Sequence, residues 1–456
     1  SFMFDLNEEL WKLGIPATTQ HNEVAPGQHE MAPIYTMCNL AVDQNQLTME
    51  TMKRVATRHG LVCLLHEKPY AGVNGSGKHN NWSIGTDTGE NLLDPGDTPN
   101  ENLQFLLVLS CIMKAVDTHA DLLRQSASCV GNEHRLGGQE APPAIISIFL
   151  GDQLENVVDQ IISNADSIKL LASGKLDSGV STIPVLNRDA TDRNRTTPFA
   201  FTGNKFEFRM VGSSDSIADA NTTLNAIVAE ALCEAADMLE QADDFDSACM
   251  QLIHDNMAQH QRIIFNGDGY SDAWVEEAAR RGLPNLASLV DTVPALTTEK
   301  AVKLFTKFGI YTQSELEARA EIMYETYIKV VKIEANTMIL MAAKHSIPAV
   351  ISYTTRLAQS ISSVAAACPE ADLSVQRKLL QDVSTHLSEA SAALEQLKPL
   401  MDRVDTIQDV KEMAIAYRTA VIPAMDALRY PIDILELMVD KAIWPVPTYG
   451  DLMFEV

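Results

Sequence analysis

The chain has 456 residues, 46% of them hydrophobic, which is enough for one large domain or two to three smaller ones with a substantial core. Its net charge of −26, from 35 basic and 61 acidic residues, argues against a nucleic-acid or anionic-membrane surface, because both reward clustered Lys and Arg. No apolar run approaches the roughly 20 residues of a membrane span, no signal peptide is visible, and seven scattered cysteines form no Cys-x-x-Cys pair, which fits a reduced cytoplasmic protein.

Residues 5–13 predict a short helix. The chain enters this helix-like sequence at once, so an upstream portion of a longer polypeptide is expected to be missing. Residues 17–36 predict strand, turn and strand, and residues 43–60 a helix stopped at Gly60. The apolar run 60–65 predicts a buried strand, 81–86 a further strand, and 89–100 a loop. Residues 101–126 predict one long helix and 144–150 a strand. A helix over 154–171 and mixed loop and strand over 173–192 follow. Residues 205–211 alternate with period two, placing Phe206, Phe208 and Met210 on one face and Lys205, Glu207 and Arg209 on the other. A helix over 217–240 closes a first region.

From about residue 241 strand signals become rare. Thr312-Gln313-Ser314-Glu315 is a capping-box pattern opening a helix to about residue 344. Val383, Leu387, Ala390, Leu394 and Leu397 form a core stripe on a second helix, and 406–421 predicts a third. The organisation expected is therefore 1–240 as an α+β region and 241–456 as a helical bundle.

Four stretches carry candidate chemistry. The first is His21-Asn22-Glu23-Val24-Ala25-Pro26-Gly27-Gln28-His29-Glu30. Its Pro-Gly corner would let Glu23 and Glu30 face one space, and paired carboxylates suit a hard divalent cation such as Mg²⁺. Alone, it also reads as a polar surface hairpin. The second, Asn74-Gly75-Ser76-Gly77-Lys78-His79, departs from a phosphate-binding P-loop and delivers one histidine from a flexible turn. The third, Asn132-Glu133-His134-Arg135-Leu136-Gly137-Gly138-Gln139-Glu140, sets an arginine and a glutamate on a glycine-containing loop, or is an ordinary exposed loop. The fourth gathers Arg188, Arg193, Arg195, Lys205 and Arg209 around Glu207. A cationic cluster with one carboxylate suits phosphoryl transfer, although a strand with a solvated polar face would look the same.

In order and spacing, these stretches together resemble the glutamine synthetase family. The wording Asn-Glu-His-Arg-Leu-Gly-Gly-Gln-Glu-Ala-Pro-Pro-Ala-Ile, the form Asn-Gly-Ser-Gly-Lys-His-Asn-Asn-Trp and the C-terminal Trp-Pro-Val-Pro-Thr-Tyr are similar to its long, type III branch. The resemblance implies an α+β fold of the glutamine synthetase/guanidino-kinase kind: a curved, mainly antiparallel sheet backed by helices, followed by a helical bundle. It implies ATP-dependent ligation of ammonia to the γ-carboxylate of L-glutamate through γ-glutamyl phosphate, with two to three Mg²⁺ or Mn²⁺ ions per site and assembly into rings forming a dodecamer. No nucleic-acid or membrane partner is expected.

By the same resemblance, Glu23, Glu30, His79 and Glu207 would hold metal. Asn74, Gly75, Arg135 and Arg209 would bind the amino-acid substrate. Arg188 and Glu140 would be catalytic, Glu140 as a flap carboxylate that takes a proton from ammonium. Ser83, Arg193, Arg195 and Lys205 would contact nucleotide. Lys205 stands where many relatives have Arg, and Asn81 where many have a nucleotide-contacting His. Two other readings stay open: a related ligase using a different amine, and a non-catalytic scaffold with the same fold.

Overall fold

In the computed structural model, residues 1–164, 175–176, 186–187 and 195–454 are described. The chain divides into two compact units, Ser1–Glu317 and Ala318–Val456.

The first unit opens with helix α1 (Phe2–Lys12), then hairpin strands β1 (Ala17–Asn22) and β2 (His29–Pro33), then helix α2 (Cys38–Arg58). Leu6 and Leu10 lie one helical turn apart on α1, so they share a face. They meet Ile15, Ala17 and Val55 in a closed apolar cluster. Trp11 Nε1 donates to the Ala17 carbonyl at 2.9 Å, and Gln20 Nε2 to that of Met3 at 2.9 Å. The hairpin is thus seated on α1 and α2.

A four-stranded sheet follows, in the order β3-β8-β7-β4. Its strands are β3 (Gly77–Trp82), β4 (Ile148–Phe149), β7 (Phe199–Phe201) and β8 (Phe206–Gly212). β8 pairs antiparallel with β3 and β7, while β7 and β4 run parallel. Two short strands, β5 (Lys175–Leu176) and β6 (Leu186–Asn187), pair with each other. Phe199 stacks on Phe206 at 4.4 Å, and Phe201 meets Phe105 of helix α3 (Leu103–Thr118) at 5.8 Å. This face explains why Phe206, Phe208 and Met210 are all buried.

The remaining helices of this unit are α4 (Ala120–Gln125), α5 (Gly151–Ile162), α6 (Ala218–Leu239), α7 (Phe245–His260), α8 (Asp272–Arg280), α9 (Leu289–Thr292) and α10 (Glu299–Lys307). The unit boundary falls within α11 (Gln313–Met341), whose start carries the expected reciprocal cap. Thr312 N–H donates to Glu315 Oε2 at 2.8 Å, and Glu315 N–H to Thr312 Oγ1 at 3.3 Å.

Helices α12 (Ile347–Ala367), α13 (Ser374–Val404), α14 (Val410–Ala416), α15 (Ile422–Met438) and α16 (Tyr449–Phe454) belong to the second unit. Its core joins Val350, Val383, Ala390, Leu435, Val439 and Trp444, so the stripe read on α13 is core. Wider π-helical turns at Ala342–Ser346 and Tyr417–Val421 end just before Pro348 and Pro423, where the missing proline N–H loosens the helical ladder. No helix among the described residues is long and apolar enough to cross a membrane.

Several expectations are corrected. Residues 60–65 form no strand, and Leu61, Val62 and Leu64 are exposed, because no neighbouring strand among the described residues pairs with them. The strand expected at 81–86 begins at Gly77 and ends at Trp82. The helix expected over 101–126 breaks at His119, whose ring is held by Glu230 at 2.9 Å. The strand at 144–150 shrinks to Ile148–Phe149. Most of 173–192 lies outside the described residues.

Leu10 is fully buried in the cluster beneath the hairpin. We expect Leu10→Ala to cost about 2–5 kcal/mol and to speed hydrogen exchange across the β1–β2 ladder. Hairpin amides exchanging at the wild-type rate would show that this core does not hold it.

Candidate metal and substrate site

The β1–β2 register sets His21 opposite Glu30. His21 and Glu23 lie two residues apart at the end of the strand, and side chains at that spacing share a face. A tight turn closes the hairpin: Glu23 N–H donates to the Gln28 carbonyl at 2.9 Å, with Gly27 at φ +67°. His21 Nε2 lies 2.8 Å from Glu23 Oε1 and 2.6 Å from Glu30 Oε2. Ligand atoms from these three residues fall within 4.8 Å of one another.

Burial raises the Glu30 carboxyl above the usual carboxylate range, and the hydrogen bond and charge of Glu23 push the same way. Two carboxylates crowded in this fashion occupy the kind of place a divalent cation fills. The oxygen and imidazole donors suit Mg²⁺ or Mn²⁺. His21 was not among the ligands expected from the sequence, although its spacing from Glu23 is the signal that finds it.

Gln28 ties this hairpin to the glycine loop, donating from Nε2 to the Gly75 carbonyl and to Ser76 Oγ, each at 2.9 Å. Asn74 is half-buried, between Val73, whose carbonyl takes Lys68 Nζ, and Gly75. The loop feeds β3, whose register with β8 slips between Lys78 and Asn80. At this irregularity His79 Nδ1 lies 3.4 Å from Glu207 Oε1. The charge of His79 acts weakly on the Glu30 carboxyl, in the lowering direction. The structure thus brings together Glu23 and Glu30 with His21 on the hairpin, and His79 with Glu207 on the sheet.

The charged face of β8 is not solvated. Glu207 and Arg209 are each 3% exposed, with Arg209 Nε 3.8 Å from Glu207 Oε2. Arg135, expected to bind substrate, is also buried. Its guanidinium donates to Asn132 Oδ1 at 3.1 Å and to the carbonyls of Met210 at 3.4 Å and Arg209 at 3.0 Å. Arg135 thus braces the backbone of Arg209 from below. The glycines of the second stretch make room for it: a Cβ at Gly77 would run into the Arg135 guanidinium, and one at Gly75 would lie 3.1 Å from Arg135 Cγ.

Glu140 occupies a tight loop closed by Gly137 N–H to the Pro142 carbonyl at 2.9 Å. Gln139 and Glu140 have φ of +45° and +68°, a left-handed conformation that costs a non-glycine residue on the order of 1 kcal/mol or more. Arg195 Nη1 grips Glu140 Oε1 at 2.8 Å. Ser83 and Lys205 lie at one end of the β3–β8 ladder, both near Asn204: Ser83 Oγ reaches its carbonyl at 3.5 Å and Lys205 Nζ its side chain at 3.3 Å. Arg188 and Arg193 lie outside the described residues.

A buried polar layer underlies the sheet end. Glu67 is 1% exposed and accepts from Ser214 N–H at 2.9 Å and Cys129 Sγ at 3.3 Å. Lys78 Nζ donates to the Ser213 carbonyl at 3.0 Å and to that of Asp215. Burial pulls the Lys78 ammonium down to about 8 and pushes the Asp215 carboxyl up to about 6.

Comparison with known proteins gives consistent matches. The family model described as "Glutamine synthetase, catalytic domain" matches residues 1–129, and that described as "Glutamine synthetase C-terminal domain" matches residues 248–365. The chain is 45% identical to the type-3 glutamine synthetase of Dictyostelium discoideum, over 98% of this chain and 62% of that protein. It is 42% identical to a glutamine synthetase of Butyrivibrio fibrisolvens, over 100% of this chain and 65% of that protein. It is 41% identical to one from Bacteroides fragilis, over 100% of this chain and 64% of that protein. The chain thus spans just under two thirds of the length of these curated relatives.

The Asp215 carboxyl makes stability depend on pH in a defined direction. Its folded value of about 6 lies above the unfolded 3.8, so the folded protein holds this proton more tightly. The resulting stabilisation is complete below about pH 4 and is lost as pH rises through 6. Over that window wild type should lose roughly 1–3 kcal/mol more than Asp215→Asn in urea denaturation. Parallel pH curves for the two proteins would refute this assignment.

Proposed function

From the premise that the chain belongs to the glutamine synthetase family, we propose that it carries the catalytic region of a glutamate–ammonia ligase. The reaction joins ammonia to the γ-carboxylate of L-glutamate through γ-glutamyl phosphate, giving glutamine, ADP and phosphate. The observation that carries this reading is the His21–Glu23–Glu30 cluster on the hairpin, tied through Gln28 to the glycine loop that leads into the His79–Glu207 pair.

Glu23 and Glu30, with His21 between them, would hold metal on the glutamate side, and His79 with Glu207 on the nucleotide side. Two to three Mg²⁺ or Mn²⁺ ions there would neutralise charge on the phosphate oxygens during transfer. Asn74 and Gly75 would meet the amino-acid substrate beside Arg209, whose cation suits a carboxylate or the transferring phosphoryl group. Arg135 would act through Arg209, since its buried guanidinium is directed into backbone carbonyls and Asn132. Arg188, Arg193, Arg195, Lys205 and Ser83 would contact the nucleotide and its phosphates.

In the first step a γ-carboxylate oxygen of glutamate bonds to the γ-phosphorus of ATP, and the bond to ADP breaks. Glu140 then takes a proton from ammonium, the ammonia nitrogen bonds to the acyl carbon, the acyl–phosphate bond breaks, and the departing phosphate carries off the second nitrogen proton, leaving the neutral amide. The strained Gln139–Glu140 loop, with Arg195 holding Glu140, is suited to closing over this intermediate, because water would hydrolyse an acyl phosphate.

The fold that goes with this reading is the family's curved, mainly antiparallel sheet, with residues 241–456 as the helical C-terminal region. Ring assembly into a dodecamer belongs to the same proposal. So does a cytoplasmic location, which seven unpaired cysteines support.

The test is metal-dependent ADP release by the protein carrying this chain, with glutamate and ammonium. Glu30→Gln and His79→Ala should each lower kcat by about 100-fold or more. Greater turnover with a larger amine would point instead to a related ligase. Unchanged metal-dependent ATP binding in both variants would remove the catalytic site.

A further inference from the structure

The region after residue 240 reads as helical scaffold, yet one of its turns reaches the site. Asn266-Gly267-Asp268-Gly269-Tyr270 lies between α7 and α8, and its fixed contacts run in two directions. Toward the scaffold, Asn266 Oδ1 accepts from the amides of Leu150 and Gly151 at 3.0 and 3.2 Å. Its Nδ2 donates to Glu155 Oε2 at 2.6 Å. Phe265 stacks on Trp274 with ring centroids 3.7 Å apart. Toward the site, Gly269 N–H donates to Thr196 Oγ1 at 2.7 Å. A Cβ at Gly269 would come within 2.7 Å of the Thr196 carbonyl, so only glycine allows this approach.

Thr196 follows Arg195, which holds Glu140 at 2.8 Å. Two residues later, the Pro198 carbonyl accepts from Arg209 N–H at 2.9 Å. The turn is therefore clamped to the segment that positions both Glu140 and Arg209. Tyr270 is the next residue, and its N–H is fixed on Asp268 Oδ1 at 2.9 Å. The residue is 37% exposed. The charges that act on its phenol are those of Arg209, Glu140, Arg135 and Asp268. Arg135 senses Tyr270 in return.

We propose that Tyr270 is a further residue of the substrate site, its hydroxyl donating a hydrogen bond to the anionic amino-acid substrate beside Arg209. This rests on the ligase reading given above. Burial raises the phenol above its ordinary value, which keeps it protonated and therefore a donor at neutral pH. A neutral donor there adds orientation without adding charge to a place that already holds two buried guanidinium groups.

The test is Tyr270→Phe in the protein carrying this chain, since the ring and its packing are kept and only the hydroxyl is lost. We expect KM for glutamate to rise about ten-fold, as for loss of one hydrogen bond to a charged group, with KM for ATP and the melting temperature unchanged. Glutamate-induced thermal stabilisation should shrink in parallel. If wild type is active and Tyr270→Phe matches it in kcat and in KM for glutamate, the inference fails while the ligase reading stands. If wild type releases no ADP with glutamate and ammonium, both fall together. A rise in KM for ATP alone would also overturn it, since the hydroxyl would then serve the nucleotide.

Discussion

The crowding of Glu23 and Glu30 is the constraint on which the rest of the first unit depends. Two carboxylates brought into one space repel unless a proton or a cation stands between them. His21, at 2.8 and 2.6 Å from the pair, serves that purpose here. Such an arrangement survives only if the backbone is held by something stronger than the repulsion. The apolar cluster of Leu6, Leu10, Ile15, Ala17 and Val55 does this from beneath. Gln28 does it from the side, bridging to Gly75 and Ser76.

Opposite charge is handled differently. Arg135 and Arg209 are both buried, and two guanidinium groups cannot share a small volume unless each is oriented. Arg135 is directed into carbonyl oxygens and Asn132, while Arg209 lies along Glu207 on the same strand face. The glycines at 75 and 77 are needed for this reason: they admit the Arg135 side chain alongside the loop. Room for a cation inside the protein thus explains a motif that first suggests room for a ligand outside it.

Much of this was legible in the sequence because local chemistry repeated the tertiary outcome. The Pro26-Gly27 corner, the period-two alternation at 205–211 and the Thr312–Glu315 cap all reappear where local rules put them. The apolar run 60–65 was misread because hydrophobic content alone cannot say whether a partner strand is present. The burial of Glu207 and Arg209 was equally invisible: alternation separates two faces of a strand but does not say that both are covered. Glu67 carried no signal at all, since its role arises from Ser214 and Cys129, which are distant in the chain. Arg188 and Arg193, both drawn from the sequence, lie outside the described residues.

The change in composition near residue 240 marks where strands stop, and it is a poor guide to where the chemistry stops. The first compact unit continues to Glu317, and α7 and α8 pack within it. Helices satisfy most of their own backbone groups, so free backbone donors and acceptors in this region come from the turns between them. The turn at 266–270 meets that requirement because glycine at 269 lets it lie directly on Thr196. A helical region that reads as scaffold in this way clamps the segment that holds Glu140, and the boundary between scaffold and site runs through individual residues rather than between domains.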